Sequence, residues 1–326
     1  HIFLKVDPSC LGALPFEPAF KNAVTAGAKE LGIEAHPDAK VYVFPSVAGF
    51  VGGDTVAVIL AAQMHKSDKV RLAIDIGTNG EIVLGNKKRL ICASTAAGPA
   101  FEGCRISRGM RAAIGAIDKV RLDADVETDV IGGVPATGIC GTGVVDAVAG
   151  LLDTGVLDET GRILETKEMK EGTSVKLLER LVKQDKQQAF LLVEGEKAFE
   201  KKPLFLTQKD VRELQVAKAA IAAGIKILLK EYGIDESGVD EILLAGAFGN
   251  FIHPGNARRI GLIPHMQLSK VRSIGNAALA GSAMALLSRD LRREAESIAV
   301  STGYVEIANS PDFNETFVDA MEFPVK

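Results

Sequence analysis

The spacing of apolar positions changes along the chain, and each change marks an element. Residues 71–94, RLAIDIGTNGEIVLGNKKRLICAS, hold three apolar runs of strand length separated by two short polar turns, which predicts a three-strand meander. Residues 206–233, LTQKDVRELQVAKAAIAAGIKILLKEYG, repeat at helical spacing. Val211, Leu214, Ala217, Ile221, Ile225 and Leu228 fall on one face. Thr207 and Asp210 form a capping box ahead of this helix, and Gly233 is placed to end it.

Further helices are expected at 55–66 with Asp54 as N-cap, at 141–155 after a glycine turn, at 277–287 and at 312–323. Strands are expected at KVYVF (40–44), AIDKVRLD (116–123), ETDVIGG (127–133), AFLLV (189–193), EILLA (241–245), VRSIGN (271–276) and YVEIA (304–308). Residues 160–200 read as a charged surface excursion. The opening HIFLKVDPS reads as the end of a helix already under way, so a longer parent chain is expected. Strands alternate with helices, and glycine turns sit at strand C-terminal ends. That is the α/β pattern with ligand sites at the strand ends.

Composition narrows the class. The 326 residues suffice for about two domains. The net charge of −4 argues against nucleic acid as the main partner, because a phosphate backbone calls for a basic footprint. The absence of Trp and the 5% aromatic content remove the usual base-stacking platforms. No apolar run is long enough to span a membrane, and no signal peptide is visible. Cys10, Cys92, Cys104 and Cys140 form no C-x-x-C pair. That argues against zinc, an iron–sulfur cluster or a disulfide frame, and for a reducing, cytoplasmic setting.

Four glycine turns are candidates for chemistry. In DIGTNGE (75–81), Gly77 and Gly80 allow positive φ, and backbone N–H groups with Thr78 and Asn79 can wrap a phosphate. Asp75 is suited to hold Mg²⁺ through water. The bland reading is a good hairpin with nothing bound. AGPAFEG (97–103) brings Gly98, Gly103 and Glu102, the last expected at a helix start, where it either caps the helix or meets a ribose or phosphate. In GICGTG (138–143), Gly141 and Gly143 open a helix N-terminus, a ready anion site, without the Lys of a Walker A loop. Cys140 reads as a packed residue rather than a nucleophile. GAFG (246–249) puts a flat backbone at a strand end, with Phe248 facing a base or the core. Arg105, Arg108 and Arg111 form a basic run, either a solvated face or a phosphate contact.

The order of these motifs is more specific than any one of them. PSVAGFVGGD, then DIGTNGE, AGPAFEG and LAGAFG, resembles the second half of the nucleotide clamp of actin, heat-shock chaperone ATPases and sugar kinases. With CASTAAGPAFEGCRISRGMRAAIGAI, LAGAFGNFIHPGNARRIGLIP, IGNAALAGSAMALLS and PDFNETFVDAMEFP, nearly the whole chain resembles the C-terminal region of the reductive activators of corrinoid proteins.

The resemblance implies a ribonuclease H-like, mixed α/β sheet of the actin-like ATPase type with an inserted α+β subdomain at roughly 105–205. Residues 1–70 would be the end of the first clamp half and its connecting helix, and 71–326 the second half. It implies ATP and Mg²⁺ as ligands, a [2Fe–2S] module elsewhere in the full-length protein, and a corrinoid protein of a methyl transfer pathway as partner. The activity implied is ATP-driven reduction of Co(II) to Co(I). A homodimer stays open.

Residue by residue, Asp75 would hold Mg²⁺ or orient the attacking water. Gly77, Thr78 and Asn79 would cradle the phosphates, with Gly80 and Glu81 also in the nucleotide site. Gly98, Glu102 and Gly103 would line the nucleotide, and Gly246, Ala247, Phe248 and Gly249 the adenosine. Gly141 and Gly143 are left between nucleotide and partner contact. Two features depart from the family pattern: no cluster-binding cysteine spacing, and no first phosphate hairpin upstream. This chain alone is therefore expected to bind ATP weakly and to reduce nothing. The alternatives are a small-molecule kinase of the same fold and a docking module without turnover.

Overall fold

The computed structural model describes residues 1–13, 16–307 and 310–325. In chain order the strands are β1 (Val24–Gly27), β2 (Lys40–Val43), β3 (Arg71–Ile76), β4 (Gly80–Asn86), β5 (Arg89–Thr95), β6 (Ala116–Leu122), β7 (Val126–Val130), β8 (Gly138–Ile139), β9 (Leu181–Gln184), β10 (Gln187–Val193), β11 (Leu204–Thr207), β12 (Glu241–Ala245), β13 (Val271–Ser273) and β14 (Thr302–Tyr304). The helices are α1 (Gly53–Ala61), α2 (Gly141–Asp153), α3 (Val175–Glu179), α4 (Gln208–Tyr232), α5 (Gly246–Gly249), α6 (Pro254–Arg259), α7 (Ala277–Leu287), α8 (Arg289–Ser301) and α9 (Phe313–Asp319).

The central sheet has six strands in the order β13-β12-β3-β4-β5-β14. β3, β4 and β5 form the antiparallel meander, and β12 and β14 join its two edges in parallel. A parallel neighbour needs a long crossover, so the chain leaves the sheet after β5 and returns only after more than a hundred residues.

Both faces of this sheet are covered. Leu72, Ile74, Ile82, Leu84, Ile242 and Leu244 point into one core, and Ala73, Val83, Cys92, Leu243 and Ala245 point into the other. The strands therefore read as apolar runs rather than as an alternation. α4 covers the first face. α1, α7 and α8 cover the second, where a Cβ on Gly281 would stand 2.1 Å from the Ala57 carbonyl oxygen. That proximity explains the small residues of α7.

Residues 116–207 add two three-stranded sheets, ordered β7-β6-β8 and β11-β10-β9. The expected surface excursion at 160–200 is corrected here. Phe190, Leu192, Leu204 and Leu206 are buried in the same core as the central meander. Charged turns such as Lys183–Lys186 hid that core from a reading of composition.

The capping box of α4 forms as expected: the Thr207 hydroxyl accepts from the Asp210 N–H at 3.2 Å, and Gly233 takes φ 84° at the other end. Elsewhere the ends move. Gly52, not Asp54, is the N-cap of α1, and Asp54 sits in its first turn. The opening residues make a 3₁₀ turn at Ile2–Leu4, which Lys5 ends in the left-handed conformation at φ 58°. The last strand is Thr302–Tyr304, so Val305–Ile307 of the expected YVEIA strand fall outside it, and Ala308 lies outside the described residues. α8 was not foreseen, its apolar positions being sparse. Among the described residues no helix is long and apolar enough to cross a membrane.

Candidate functional site

The glycine turns converge at the C-terminal ends of β3 and β12. A cleft of about 770 Å³ opens there, lined by Asp75, Gly77, Glu102, Gly141, Gly246, Ala247 and Phe248 of the expected set. Met110, Arg111, Asp118, Lys119, Ile131, Cys140, Thr142, Phe251 and Asn276 also line it. The size, with aromatic walls and a few polar groups, suits a nucleoside with phosphates. The rings of Phe101 and Phe248 stand 4.8 Å apart on the apolar side.

Asp75 is the next-to-last residue of β3, with Glu81 of β4 opposite it on one side and Ala245 of β12 on the other. Across β4, Glu81 pairs with Ser94, whose hydroxyl donates to the Glu81 carboxylate at 3.3 Å. Burial, followed by the nearby Asp54, raises the Asp75 carboxyl above its ordinary range. Burial, then Asp54 and Asp75, pushes Glu81 up to about 7. Asp54 thus enters the site from the first turn of α1, where its carboxylate also accepts from the Thr55 N–H at 2.8 Å. Two half-buried carboxyls with the exposed Asp54 acting on both are short of positive charge.

That shortage fits a cation. Among the described residues no three His, Cys, Asp or Glu side chains stand close enough together to cage a metal directly. An ion with a retained hydration shell, as Mg²⁺ prefers, matches both facts. Asp75, Glu81 and Asp54 are the groups that would hold it through water.

The turn itself is corrected in detail. Neither Gly77 nor Gly80 has positive φ. The Gly77 N–H bonds to the Asn79 carbonyl at 2.9 Å, while Asn79 and Thr78 are exposed. Gly80 is the first residue of β4, and a Cβ there would meet Ile221 Cγ1 at 2.8 Å and Thr95 Oγ1 at 3.1 Å. It is glycine because α4 lies against it. Positive φ occurs instead at Gly98 (79°), Gly103 (80°) and Gly246 (87°).

Gly98 donates its N–H to the Thr78 carbonyl at 2.8 Å, and the Thr78 hydroxyl bonds to the Glu102 carboxylate. Glu102 is the last residue of a 3₁₀ turn, Pro99–Glu102, not the start of a helix. Its role here is to tie the second glycine turn to the first.

Gly246 has a second constraint besides its φ: a Cβ there would stand 2.4 Å from Asp75 Oδ1. The strand end at β12 thus leaves room for the acid. Ala247 and Phe248 follow in α5, with Gly249 closing it against Leu244. Gly141 is pressed between the Phe101 carbonyl oxygen, 2.0 Å from a built Cβ, and the Phe248 ring at 2.8 Å. Gly143 packs on Ile117 instead and does not line the cleft. Thr78, Asn79, Gly80, Glu81, Gly98, Gly103 and Gly249 also stand outside the lining.

Two helices begin at the cleft. Cys140 is the N-cap of α2, and Asn276 caps α7 by accepting from the Leu279 N–H at 2.9 Å. Helix starts favour anions, so both suit a phosphate chain. Of the basic run, Arg105 pairs with Glu213 at 3.9 Å and Arg108 bonds to the Thr137 carbonyl at 3.2 Å, and Arg111 alone reaches the lining. Asp118 and Lys119 gave no sequence signal, being ordinary residues of β6. Asn276 was readable as a cap, not as a site residue.

Residues 69–326 match the family described as the C-terminal domain of RACo, the ASKHA domain, and residues 1–67 match the RACo middle region. The corrinoid activation enzyme RamQ of Eubacterium limosum is 40% identical over 324 residues, covering 98% of this chain and 53% of that protein. The [Co(II) methylated amine-specific corrinoid protein] reductase of Methanosarcina barkeri is 29% identical over 309 residues, covering 87% of this chain and 52% of that one. A solved structure of a reductive activator for corrinoid, iron–sulfur protein matches with a TM-score of 0.89 at 37% identity, covering 99% of this chain and 51% of that chain. The chain spans about half the length of the relatives it matches.

Proposed function

The chain belongs to the RACo family, matching its middle region and its C-terminal ASKHA domain, and from that premise we propose that it forms one wall of the ATP site in an enzyme that returns Co(II) corrinoid proteins to Co(I). The observation that carries the reading is the convergence of Asp75, Glu102, Gly141, Gly246 and Phe248 on one cleft. In this reading residues 1–70 end the first clamp half and 71–326 make the second, with residues from about 105 to 205 inserted into it. The setting is cytoplasmic.

ATP hydrolysis is phosphoryl transfer to water, where positioning and charge stabilisation do most of the catalysis. Asp75 holds the cation's water shell or orients the attacking water. Gly77 would meet the phosphates from the cleft lining, with the exposed Thr78 and Asn79 beside it, and α2 and α7 would direct their N-termini at them. Phe248 and Gly246 bracket the adenosine. Mg²⁺, when bound, neutralises phosphate charge and relieves the carboxyl cluster. The reduction itself would be a one-electron step, Co(II) to Co(I), and a reduced [2Fe–2S] module elsewhere in the full-length protein would supply the electron. Closing of the clamp around ATP would couple the two steps. The second phosphate wall and the electron entry both come from outside this chain, so the isolated chain binds ATP weakly and reduces nothing.

The test is optical. A full-length protein containing these residues is mixed anaerobically with a Co(II) corrinoid protein, a reductant and Mg-ATP, and the Co(I) spectrum is followed. The expected result is ATP-dependent Co(I) formation that Asp75→Asn slows by roughly a hundredfold or more while the melting temperature holds. An Asp75→Asn protein as fast as the parent would sink the site assignment. ATP-dependent phosphorylation of a small molecule with no Co(I) would sink the reaction.

A further inference from the structure

A second cleft, of about 340 Å³, lies on a flank of α4 and shares no lining residue with the nucleotide cleft. Three cations border it: Lys218 and Lys226 of α4 and Arg258 of α6. Lys218 is 1% exposed. Its ammonium has three donors. The described residues give it the Glu322 carbonyl oxygen as acceptor, and the Phe323 ring lies 4.9 Å away. Gly261, with φ 72°, turns the chain close by, where a Cβ would stand 3.7 Å from the Lys218 Nζ.

The neighbouring cations behave differently. Lys230 on the same helix pairs with Asp312, and Arg259 next to Arg258 pairs with Asp153 at 2.7 Å. Among the described residues Lys218, Lys226 and Arg258 have no ion pair, although Arg258 bonds to the Met266 carbonyl at 2.9 Å. Burying a cation without a counter-charge is costly. Burial, and then Lys226 beside it, draws the Lys218 amine down to about 7, against a raising pull from Glu322. Lys218 is thus a buried amine with donors to spare, in a cleft where its neighbours Lys226 and Arg258 have no ion pair among the described residues although Glu236, Asp319 and Glu322 also border it.

We propose that this cleft binds a small anion bearing carboxylate or phosphate groups, held by Lys218, Lys226 and Arg258. The volume admits only a small molecule. Glu236, Asp319 and Glu322 also border the cleft and set it against long acidic polymers. The C-terminal segment forms one wall, fastened by Gln215 to the Met321 carbonyl at 2.8 Å and by Arg259 to the Pro324 carbonyl at 2.7 Å. A bound anion would therefore tighten the chain end as well.

Isothermal titration of a full-length protein containing these residues with citrate, and separately with inorganic phosphate, at constant ionic strength tests the site. Saturable one-site binding is expected for at least one of the two, and which one binds identifies carboxylate or phosphate as the recognised group. Lys226→Ala and Arg258→Ala should each weaken it roughly tenfold, about 1.4 kcal/mol. Lys218→Met should abolish it at an unchanged melting temperature. If Lys218→Met fails to fold, the exposed Lys226→Ala decides. Lys119→Ala, in the nucleotide cleft, should leave it unchanged. Non-saturating binding of both anions, or binding lost with Lys119→Ala and kept with Lys226→Ala and Arg258→Ala, would overturn the proposal.

Discussion

At the scale of the residue, Glu81 shows how position outweighs identity. Its carboxyl ordinarily titrates near 4.5 but is pushed up to about 7, by burial first and by Asp54 and Asp75 after it. The folded state therefore prefers the neutral acid. A carboxyl with a raised folded pKa stabilises fully below its unfolded pKa. Stability then falls as pH rises from about 4.5 to about 7 and levels off above. The loss from this group is about 3 kcal/mol at most. Urea unfolding at pH 5 and pH 8 without divalent cation should show the fall, and Glu81→Gln should remove most of it. A wild-type protein more stable at pH 8 than at pH 5 in that comparison would contradict the account. Mg²⁺ with nucleotide should shrink the difference, because it supplies the missing positive charge.

At the scale of the element, the helix α4 and the meander it covers are fitted at single-atom tolerance. Gly80 is glycine because Ile221 occupies the space of its Cβ, at 2.8 Å. Gly80→Ala should cost about 1–3 kcal/mol through overpacking. Ile221→Ala should cost about 2–4 kcal/mol by leaving a cavity. The double variant should cost less than the sum by more than about 0.5 kcal/mol, since each change makes room for the other. Strict additivity in denaturant unfolding would show that the two do not meet. The same fit places the phosphate turn, because Gly80 is its last residue.

At the scale of the whole molecule, the central sheet is held between two helical layers, one on each face. α7 lies so close to α1 that only glycine fits at 281, with a Cβ 2.1 Å from the Ala57 carbonyl oxygen. Asn276, the N-cap of α7, lines the nucleotide cleft, and Asp54 in the first turn of α1 acts on Asp75 and Glu81, so this packing also bears on the site. Gly281→Val should cost about 3 kcal/mol or more, because backbone cannot yield as a side chain does. Ala283→Val, on the exposed face of the same helix, should stay within about 0.5 kcal/mol. Thermal unfolding of the pair separates packing from helix propensity. Equal losses for both would refute the close-approach argument.

By itself the sequence determined the elements whose causes are local. Thr207, Asp210 and Gly233 bracket α4 because a cap satisfies backbone groups within a few residues. The meander of 71–94 declared itself because apolar runs between tight turns have few other solutions. The ordered glycine motifs pointed to the fold family and to the turns around the cleft, since each turn must sit at a strand end, although eight of the fifteen expected residues stand outside its lining.

What only the tertiary structure decided are the contacts between distant segments. Asp54 reads as a helix cap until α1 is laid beside β3, where it faces Asp75. Gly80 reads as a turn residue until α4, far along the chain, is packed on it. Asp118 and Lys119 carry no motif, and Lys218 reads as one more lysine on a long helix until the chain end closes over it. In each case the physical reason is the same: burial and charge proximity are properties of space, and neighbours in space are not neighbours in sequence.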